Sequence, residues 1–280
     1  MDYRTILVHL DASRRCTERA RLAMQLACDF GAHLTGLYAA TFRDLPAYAR
    51  AEGAPGITEE WQRLHRERAL DVIARFREHA EKAGVDRAEA RIAEQDPVAT
   101  VALHGRYADL VVVGQADPGE NHALLGVPAA LAERVVQSVP RPVLVVPYAG
   151  SFPTLGERVL VGWDTSREAA RAIADALPLL KRAANVTVLV VNPDSTGDHG
   201  ALPGADIALY LSRHGVRVEA MENHTRDVEP GTWLVSRAFD LGADLIVMGG
   251  FGHFRLRELV FGGVTRSILG QSALPVLIEH

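Results

Sequence analysis

The chain repeats its own pattern, and this duplication constrains its fold more than any other feature. The segment "YRTILVHLDASRRCTERARLAMQLACDFGAHLTGLY" begins the first half, and "GERVLVGWDTSREAARAIADALPLLKRAANVTVLVV" begins the second. In each, an apolar run ends at an aspartate (Asp11 or Asp164), a serine follows two residues later, and an alanine-rich amphipathic segment leads to another apolar run. The two halves are therefore predicted to share one fold.

The later parts of the halves match as well. "YADLVVVG" corresponds to "GADLIVMG", and "VVQSVPRPVLVVP" corresponds to "ILGQSALPVLIEH". Between them, "AGSFPTLG" is rich in glycine, proline and small residues, which is typical of a linker. We predict domains over 1–148 and 157–280 with a linker at 149–156. Because each domain ends in an apolar strand whose open edge would invite aggregation, the two last strands are expected to pair antiparallel with each other.

Short apolar runs alternate with helical periods in each half. In the second half the pattern predicts strands near 158–163, 186–191, 217–221, 244–248 and 275–279, and helices near 166–182, 203–214, 230–241 and 263–271. The runs are apolar throughout, as expected for parallel strands with both faces covered. The predicted fold class is α/β, with two tandem doubly wound domains, each an open five-stranded, mostly parallel sheet flanked by helices. Ligands of such sheets bind beyond the carboxyl ends of the strands, where Asp164 and Gly249 both fall.

Charge and composition argue against several classes of protein. The net charge is −5 and the pI is about 6.1, so nothing favours binding to nucleic acid or to an acidic membrane surface. No apolar run has the length of a membrane span. A signal peptide has a basic region followed by an apolar core, and "MDYRTILVHLD" has no such pattern. The two cysteines, Cys16 and Cys28, fit no CxxC or zinc spacing. We expect a cytoplasmic protein.

The segment "MGGFGHFRLRELVFGGVT" (248–265) is the main candidate for a ligand-binding loop. It has no Walker A lysine, and its partial GxGxxG match lacks the last glycine and lies at the end of the domain. A third spacing does fit, since Gly249, Gly252 and Gly262 form G-x2-G-x9-G. Glycines after a strand let the backbone approach a ligand, and a helix that opens at Gly262 and Gly263 offers its first amides to an anion. A loop that is rich in glycine only for packing is the alternative.

With these motifs in order, the sequence resembles the universal stress protein family in its tandem two-domain form. In the second half the resemblance rests on "VLVGWDTS", "GADLIVMGGFGHFRLRELVFGGVTRSIL" and "LPVLIEH". It implies that this domain binds ATP, or ADP or AMP, with Mg²⁺ as a candidate companion ion. By the same resemblance, Asp164 would lie beside the adenosine and the Val191 backbone would meet the adenine. Met248 and Gly249 would line the nucleoside, and the phosphates would lie among Gly252, Gly262, Gly263, Val264 and Thr265.

Plainer interpretations of single residues stay open. Asp164 stands at a strand–helix junction, where an aspartate is often only the N-cap of the helix. Thr265 equally fits a helix-turn residue whose hydroxyl is satisfied locally. The extra segment 41–67 of the first half is expected to be a loop that runs into a charged helix, either as a solvated excursion or as a lid.

The first half departs from the binding pattern. It keeps Gly114, but Asp117 stands at the position of Gly252, and Ala129 and Ala130 stand where the second half has its paired glycines. A carboxylate at that position would repel phosphates, by about 4 kcal/mol at a separation near 4 Å and an effective dielectric constant of about 20. We interpret the first domain as a degenerate copy that does not bind nucleotide.

No catalytic constellation is identified in the sequence. The histidines have no metal-binding spacing, and neither a nucleophile elbow nor a pair of acid–base carboxylates is evident. The sequence favours a regulatory protein that binds adenine nucleotide and hydrolyses ATP slowly at most. Its protein partners stay unknown, and homodimer formation stays open. An interaction module that binds no nucleotide is the alternative, while an ATP-dependent ligase or transferase would need a phosphate loop such as SGGxDS where "DTSREA" stands.

Overall fold

The structure is a computed structural model, and by its contacts the chain divides into two compact units. One unit is Tyr3–Arg141, and the other is formed by Pro142–His280. The residues that the structure describes are 2–41, 57–191, 204–223, 230–250 and 263–280. Within these ranges no helix is long and apolar enough to cross a membrane.

The first unit is a parallel sheet with helices on it. Its strands are β1 (Thr5–Leu10), β2 (His33–Ala39), β3 (Ala88–Ala93) and β4 (Leu110–Gly114), and its helices are α1 (Cys16–Phe30), α2 (Ile57–Lys82), α3 (Pro97–Gly105), α4 (His122–Leu125) and α5 (Leu131–Ser138). The strand order is β3-β2-β1-β4. The predicted charged helix after the extra segment is present as α2, while residues 42–56 before it lie outside the described residues.

The second unit repeats this arrangement. Its strands are β5 (Val143–Val146), β6 (Arg158–Trp163), β7 (Asn185–Val191), β8 (Val218–Asn223), β9 (Leu245–Gly249) and β10 (Val276–Glu279), and its helices are α6 (Arg167–Leu180), α7 (Ala205–Arg213), α8 (Pro230–Asp240) and α9 (Gly263–Gln271). The order β10-β9-β6-β7-β8 is parallel throughout. Every strand and helix predicted for the second half is present, with ends that differ by a residue or two. The predicted α/β class and the mostly parallel sheets are confirmed.

β5 is the last strand of the first sequence repeat, but its contacts place it in the second unit. It pairs antiparallel with β10, with Val145 opposite Val276 and Val143 opposite Ile278. This confirms the predicted antiparallel pairing of the two last strands. All four residues of each strand are buried, which explains why both strands are apolar at nearly every position.

An aspartate fastens the start of the first strand in each repeat. The Asp109 carboxylate accepts the backbone N–H groups of Arg4 and Thr5 at 2.8 and 2.9 Å. Asp244 accepts those of residues 156–158 at 3.0 to 3.1 Å. The aspartate in the repeated "ADL" motif is therefore structural, because it accepts hydrogen bonds from the backbone N–H groups at and just before the start of the strand.

Candidate functional site

The candidate site lies where the strand order of the second sheet reverses. β6 has β7 on one side and β9 on the other, and the crevice of a doubly wound sheet lies at the carboxyl ends of the strands at such a point. Asp164 directly follows β6, and Met248 and Gly249 end β9. Val161 is paired with Val247, so these two strand ends are neighbours, as the sequence predicts. Val191 ends β7 on the other side of β6.

The Asp164 carboxylate is held in one orientation by the residue two positions later. Its Oδ1 accepts both the backbone N–H of Ser166 at 3.0 Å and the Ser166 hydroxyl at 2.6 Å. Ser166 Oγ in turn accepts the N–H of Ala169 and so caps α6. The N-cap interpretation of Asp164 is therefore wrong, because Ser166 is the cap. No described residue donates a hydrogen bond to the Asp164 Oδ2 atom or pairs with its charge.

The residue between Asp164 and Ser166 has an uncommon backbone conformation. Thr165 has φ of 63°, and it is the one non-glycine residue with positive φ in the part of the chain that the structure describes. A β-branched side chain disfavours this region, and such strain is concentrated at ligand-binding and functional sites. Its Oγ1 donates to the Asp164 carbonyl oxygen at 2.6 Å. The turn that presents Asp164 is thus tightly specified by its neighbours.

Gly249 and Gly250 are required by packing. A Cβ atom at Gly249 would overlap the backbone of Glu168 and Ala169 in the first turn of α6. At Gly250 it would lie 2.7 Å from the side chain of Ile278. Close packing alone accounts for these two glycines, as the alternative interpretation of the segment proposes.

Both backbone polar groups of Gly250 have partners near the end of the chain. Its N–H donates to the Glu279 carbonyl oxygen at 2.7 Å, and its oxygen lies 3.1 Å from His280 Nδ1. The buried Glu279 carboxylate accepts a hydrogen bond from Arg171 on α6 at 2.9 Å. The last strand therefore fixes the point at which the glycine-rich segment begins, a role that the sequence pattern did not predict.

The predicted phosphate side of the site is only partly described. Gly252 and Gly262 lie outside the described residues, as do His253 and the rest of the segment 251–262. The predicted last helix begins at Gly263, followed by Val264 and Thr265 in its first turn. Thr265 is buried, with 4% of its surface exposed, which fits the interpretation of a satisfied helix-turn residue.

The equivalent aspartate in the first half has different surroundings. Asp11 Oδ1 accepts the Ser13 N–H at 3.0 Å and the Ser13 hydroxyl, as its counterpart does, but it also lies 3.0 Å from Arg19 Nη2. Burial alone would raise the pKa of Asp11, but Arg19, together with His9 and Ser13, brings it down to about 2. The carboxylate is thus ionised and already has a cationic partner.

A loop covers this first-half cleft. The Glu120 carboxylate accepts the Arg14 N–H at 2.8 Å, and Thr41, just after β2, donates its N–H to the Gly126 oxygen at 2.9 Å. Asp117 lines the cleft as predicted, with its Oδ1 accepting the Gly119 N–H at 2.7 Å. The space that remains has room for about one water molecule.

The chain is similar to known proteins over nearly all its length. The model of the family described as "Universal stress protein family" matches residues 2–147 and again 156–280. The chain therefore belongs to the universal stress protein family and carries two copies of its domain.

One related sequence and two solved structures illustrate the similarity. The universal stress protein Slr1230 of Synechocystis sp. is 26% identical over 220 residues, which cover 77% of this chain and 73% of that protein. The crystal structure of a universal stress protein from Archaeoglobus fulgidus DSM 4304 matches 98% of this chain and 95% of its own with a TM-score of 0.73 at 19% identity. The structure of PA1789, a protein of Pseudomonas aeruginosa PAO1, covers 99% of this chain and 92% of its own length, with a TM-score of 0.60 at 15% identity. These two structures share the fold of this chain.

Within the described ranges, no group of three or more histidine, cysteine, aspartate or glutamate side chains is placed to hold a metal ion.

Proposed function

We propose that the second half of the chain binds one adenine nucleotide at the carboxyl ends of β6 and β9, and that the protein serves the stress response as a nucleotide-binding regulator. The ligand is ATP, or ADP or AMP, and Mg²⁺ enters as the counter-ion of ATP. The proposal concerns binding rather than catalysis, with hydrolysis slow at most. Because Cys16 and Cys28 are free thiols, we place this role in a reducing compartment, the cytoplasm.

The observation that carries the proposal is the state of the Asp164 carboxylate. One oxygen is fixed by Ser166, and the other accepts nothing from the described residues. A carboxylate oriented in this way at a strand end can accept hydrogen bonds from ribose hydroxyl groups, each worth about 1.5–3 kcal/mol because the acceptor is charged. The strained Thr165 beside it supports the same assignment.

The phosphate group has a matching partner in α9. This helix begins at Gly263, and the first amides of a helix, together with its dipole, favour an anion. Gly252 and Gly262 belong to the proposed phosphate contacts by the family resemblance. At the equivalent place in the first half, the Asp117 carboxylate lines the cleft and would repel phosphates, and Asp11 is already paired with Arg19.

Two measurements on the purified chain test the proposal. Acid release followed by mass spectrometry identifies any nucleotide that co-purifies with the protein. Calorimetry with ATP and Mg²⁺ on the stripped protein is expected to give a stoichiometry near one. If neither measurement detects adenine nucleotide, the proposal fails and the interaction module that binds no nucleotide becomes the better description.

A further inference from the structure

The two clefts differ at four equivalent positions. At three of them the sequence repeat gives the correspondence, since the first half has His9, Cys16 and Arg19 where the second half has Gly162, Ala169 and Ala172. At the fourth the strand register gives it, because Tyr38 pairs with Leu10 as Val190 pairs with Trp163. All four first-half residues are buried. The first half therefore fills the surroundings of its aspartate with polar side chains, whereas the second half has only small or apolar ones there.

Arg19 is the centre of this polar group. Its Nη2 lies 3.0 Å from Asp11 Oδ1, and its Nε donates to the backbone oxygen of His9 at 2.7 Å. Its Nη1 lies against Gly114, where an added Cβ atom would overlap it. With only 4% of its side chain exposed, the guanidinium joins the ends of β1 and β4, the two strands between which a ligand of this fold would bind.

We propose that Arg19 is an internal ligand of the first half: its guanidinium binds Asp11 in place of an external molecule, holds the ends of β1 and β4 together, and so acts with Asp117 to exclude nucleotide from the first half. The proposal concerns the first half alone and does not require the second half to bind nucleotide. It assigns Arg19 a positioning role, because the residue acts through Asp11 and through the strand ends that it joins.

Several titratable and charged groups surround the Asp11 carboxylate, and a test of the role of Arg19 has to account for them. His9 from β1, Cys16 from α1 and Tyr38 from β2 face the carboxylate together with Arg19. Farther out, Arg68 from α2 acts on Tyr38, and the other charged or titratable residues that line the cleft are Arg15, Asp117, Glu120 and His122. Of these groups, only Arg19 lies within salt-bridge distance of Asp11 as a permanent cation.

Removal of this cation should change the titration of Asp11. With Arg19 absent, burial becomes the main influence and raises the pKa of Asp11 above its ordinary value. A group whose pKa is raised by folding stabilises the folded state at low pH and ceases to do so as the pH rises through the folded pKa. Loss of Arg19 should therefore destabilise the protein more at pH 7.5 than at pH 5.0.

The test compares three variants by their melting temperatures at these two pH values. Arg19→Met retains most of the side-chain volume without the charge, and Arg19→Met with Asp11→Asn also removes the carboxylate. Arg21→Ala is the matched control, because Arg21 is on the same helix and its ion pair with Glu18 is on the surface.

We expect Arg19→Met to melt roughly 10 °C below the parent at pH 7.5 and clearly closer to it at pH 5.0. The double variant should regain more than half of the loss, and Arg21→Ala should behave like the parent at both pH values. An equal loss at both pH values without recovery in the double variant would show that Arg19 only fills space. If Arg19→Met does not fold, the double variant decides: folding supports the internal ion pair, and failure to fold overturns it.

A second measurement tests the exclusion of nucleotide. The parent protein is labelled with a photoreactive 8-azido-ATP probe, and the labelled peptides are mapped. Label on the first-half peptides that carry Asp11 or Gly114 would overturn the proposal. Label confined to the second half agrees with it. If no peptide is labelled but Arg19→Met shows the pH-dependent loss, the nucleotide function of the second half fails while the role of Arg19 stands.

Discussion

The two equivalent aspartates should respond in opposite ways to the same substitution. Asp11→Asn removes the charge that compensates Arg19, and the loss of one partner of a buried ion pair costs about 3–5 kcal/mol. The pKa of Asp11, lowered from 3.8 to about 2, gives a similar order of about 2.5 kcal/mol at roughly 1.4 kcal/mol per unit. Because this pKa is lowered by folding, the stabilisation is present above pH 4 and is lost as the pH falls toward 2.

Asp164→Asn should leave stability nearly unchanged. Asp164 is only partly buried, it forms no ion pair with any described residue, and an asparagine oxygen can still accept both hydrogen bonds from Ser166. The substitution instead weakens a charged acceptor for the ribose, which should lower ATP affinity by about tenfold or more.

The assay is urea unfolding at pH 7 together with calorimetric titration of ATP for both variants. We expect Asp11→Asn to lower the free energy of unfolding and to leave ATP affinity unchanged, and Asp164→Asn to do the reverse. If Asp11→Asn abolishes ATP binding in a protein that remains folded, the binding site has been assigned to the wrong half. If Asp164→Asn costs as much stability as Asp11→Asn, the difference between the two carboxylates does not exist in solution.

Three further predictions follow from particular residues. Gly262→Asp should weaken ATP binding about a hundredfold through lost phosphate contacts. The control is Gly270→Asp in α9, where an added Cβ meets no atom within 4 Å, and it should bind ATP like the parent. Equal ATP affinities of the two variants by calorimetry would contradict a role for the glycine segment. Burial lowers the pKa of His9 to about 4 against the opposing effect of Asp11, so the unfolded chain takes up a proton at His9 as the pH falls below 6.5 while the folded chain does not. His9→Gln should therefore reduce the loss of stability between pH 7 and pH 5, measured by urea unfolding. A pH dependence equal to that of the parent would refute this prediction. Asp244→Ala removes the acceptor for three backbone N–H groups. It should lower the free energy of unfolding by about 2–4 kcal/mol without changing the ATP affinity of the folded protein. A stability equal to that of the parent would show that water replaces these contacts.

The sequence predicts the fold well because its signals are local. Buried strands are apolar at most positions, and the edge argument led directly to the pairing of β5 with β10. The position of Asp164 at a strand end beside Gly249 followed from the same apolar runs. These features depend on hydrophobic periodicity and on the topology of the sheet, both of which are visible in a single chain.

The contents of the two clefts were harder to predict, because they depend on tertiary contacts. The role of Ser166 as the cap of α6 could not be separated from that of Asp164 by spacing alone. Arg19 did leave a signal, since it shares one face of α1 with the buried residues Ala23 and Leu26, where a charge requires a partner. Comparison with Ala172 in the other repeat would have pointed to it.

The most direct test of the central claim is a crystal structure of the protein grown with saturating ATP and Mg²⁺. We predict electron density for one adenine nucleotide per chain, with its ribose beside Asp164 and its phosphates at the first turn of α9, and the Arg19–Asp11 ion pair intact in the first half. Nucleotide density beside Asp11, or none beside Asp164 at saturating ATP, would contradict it.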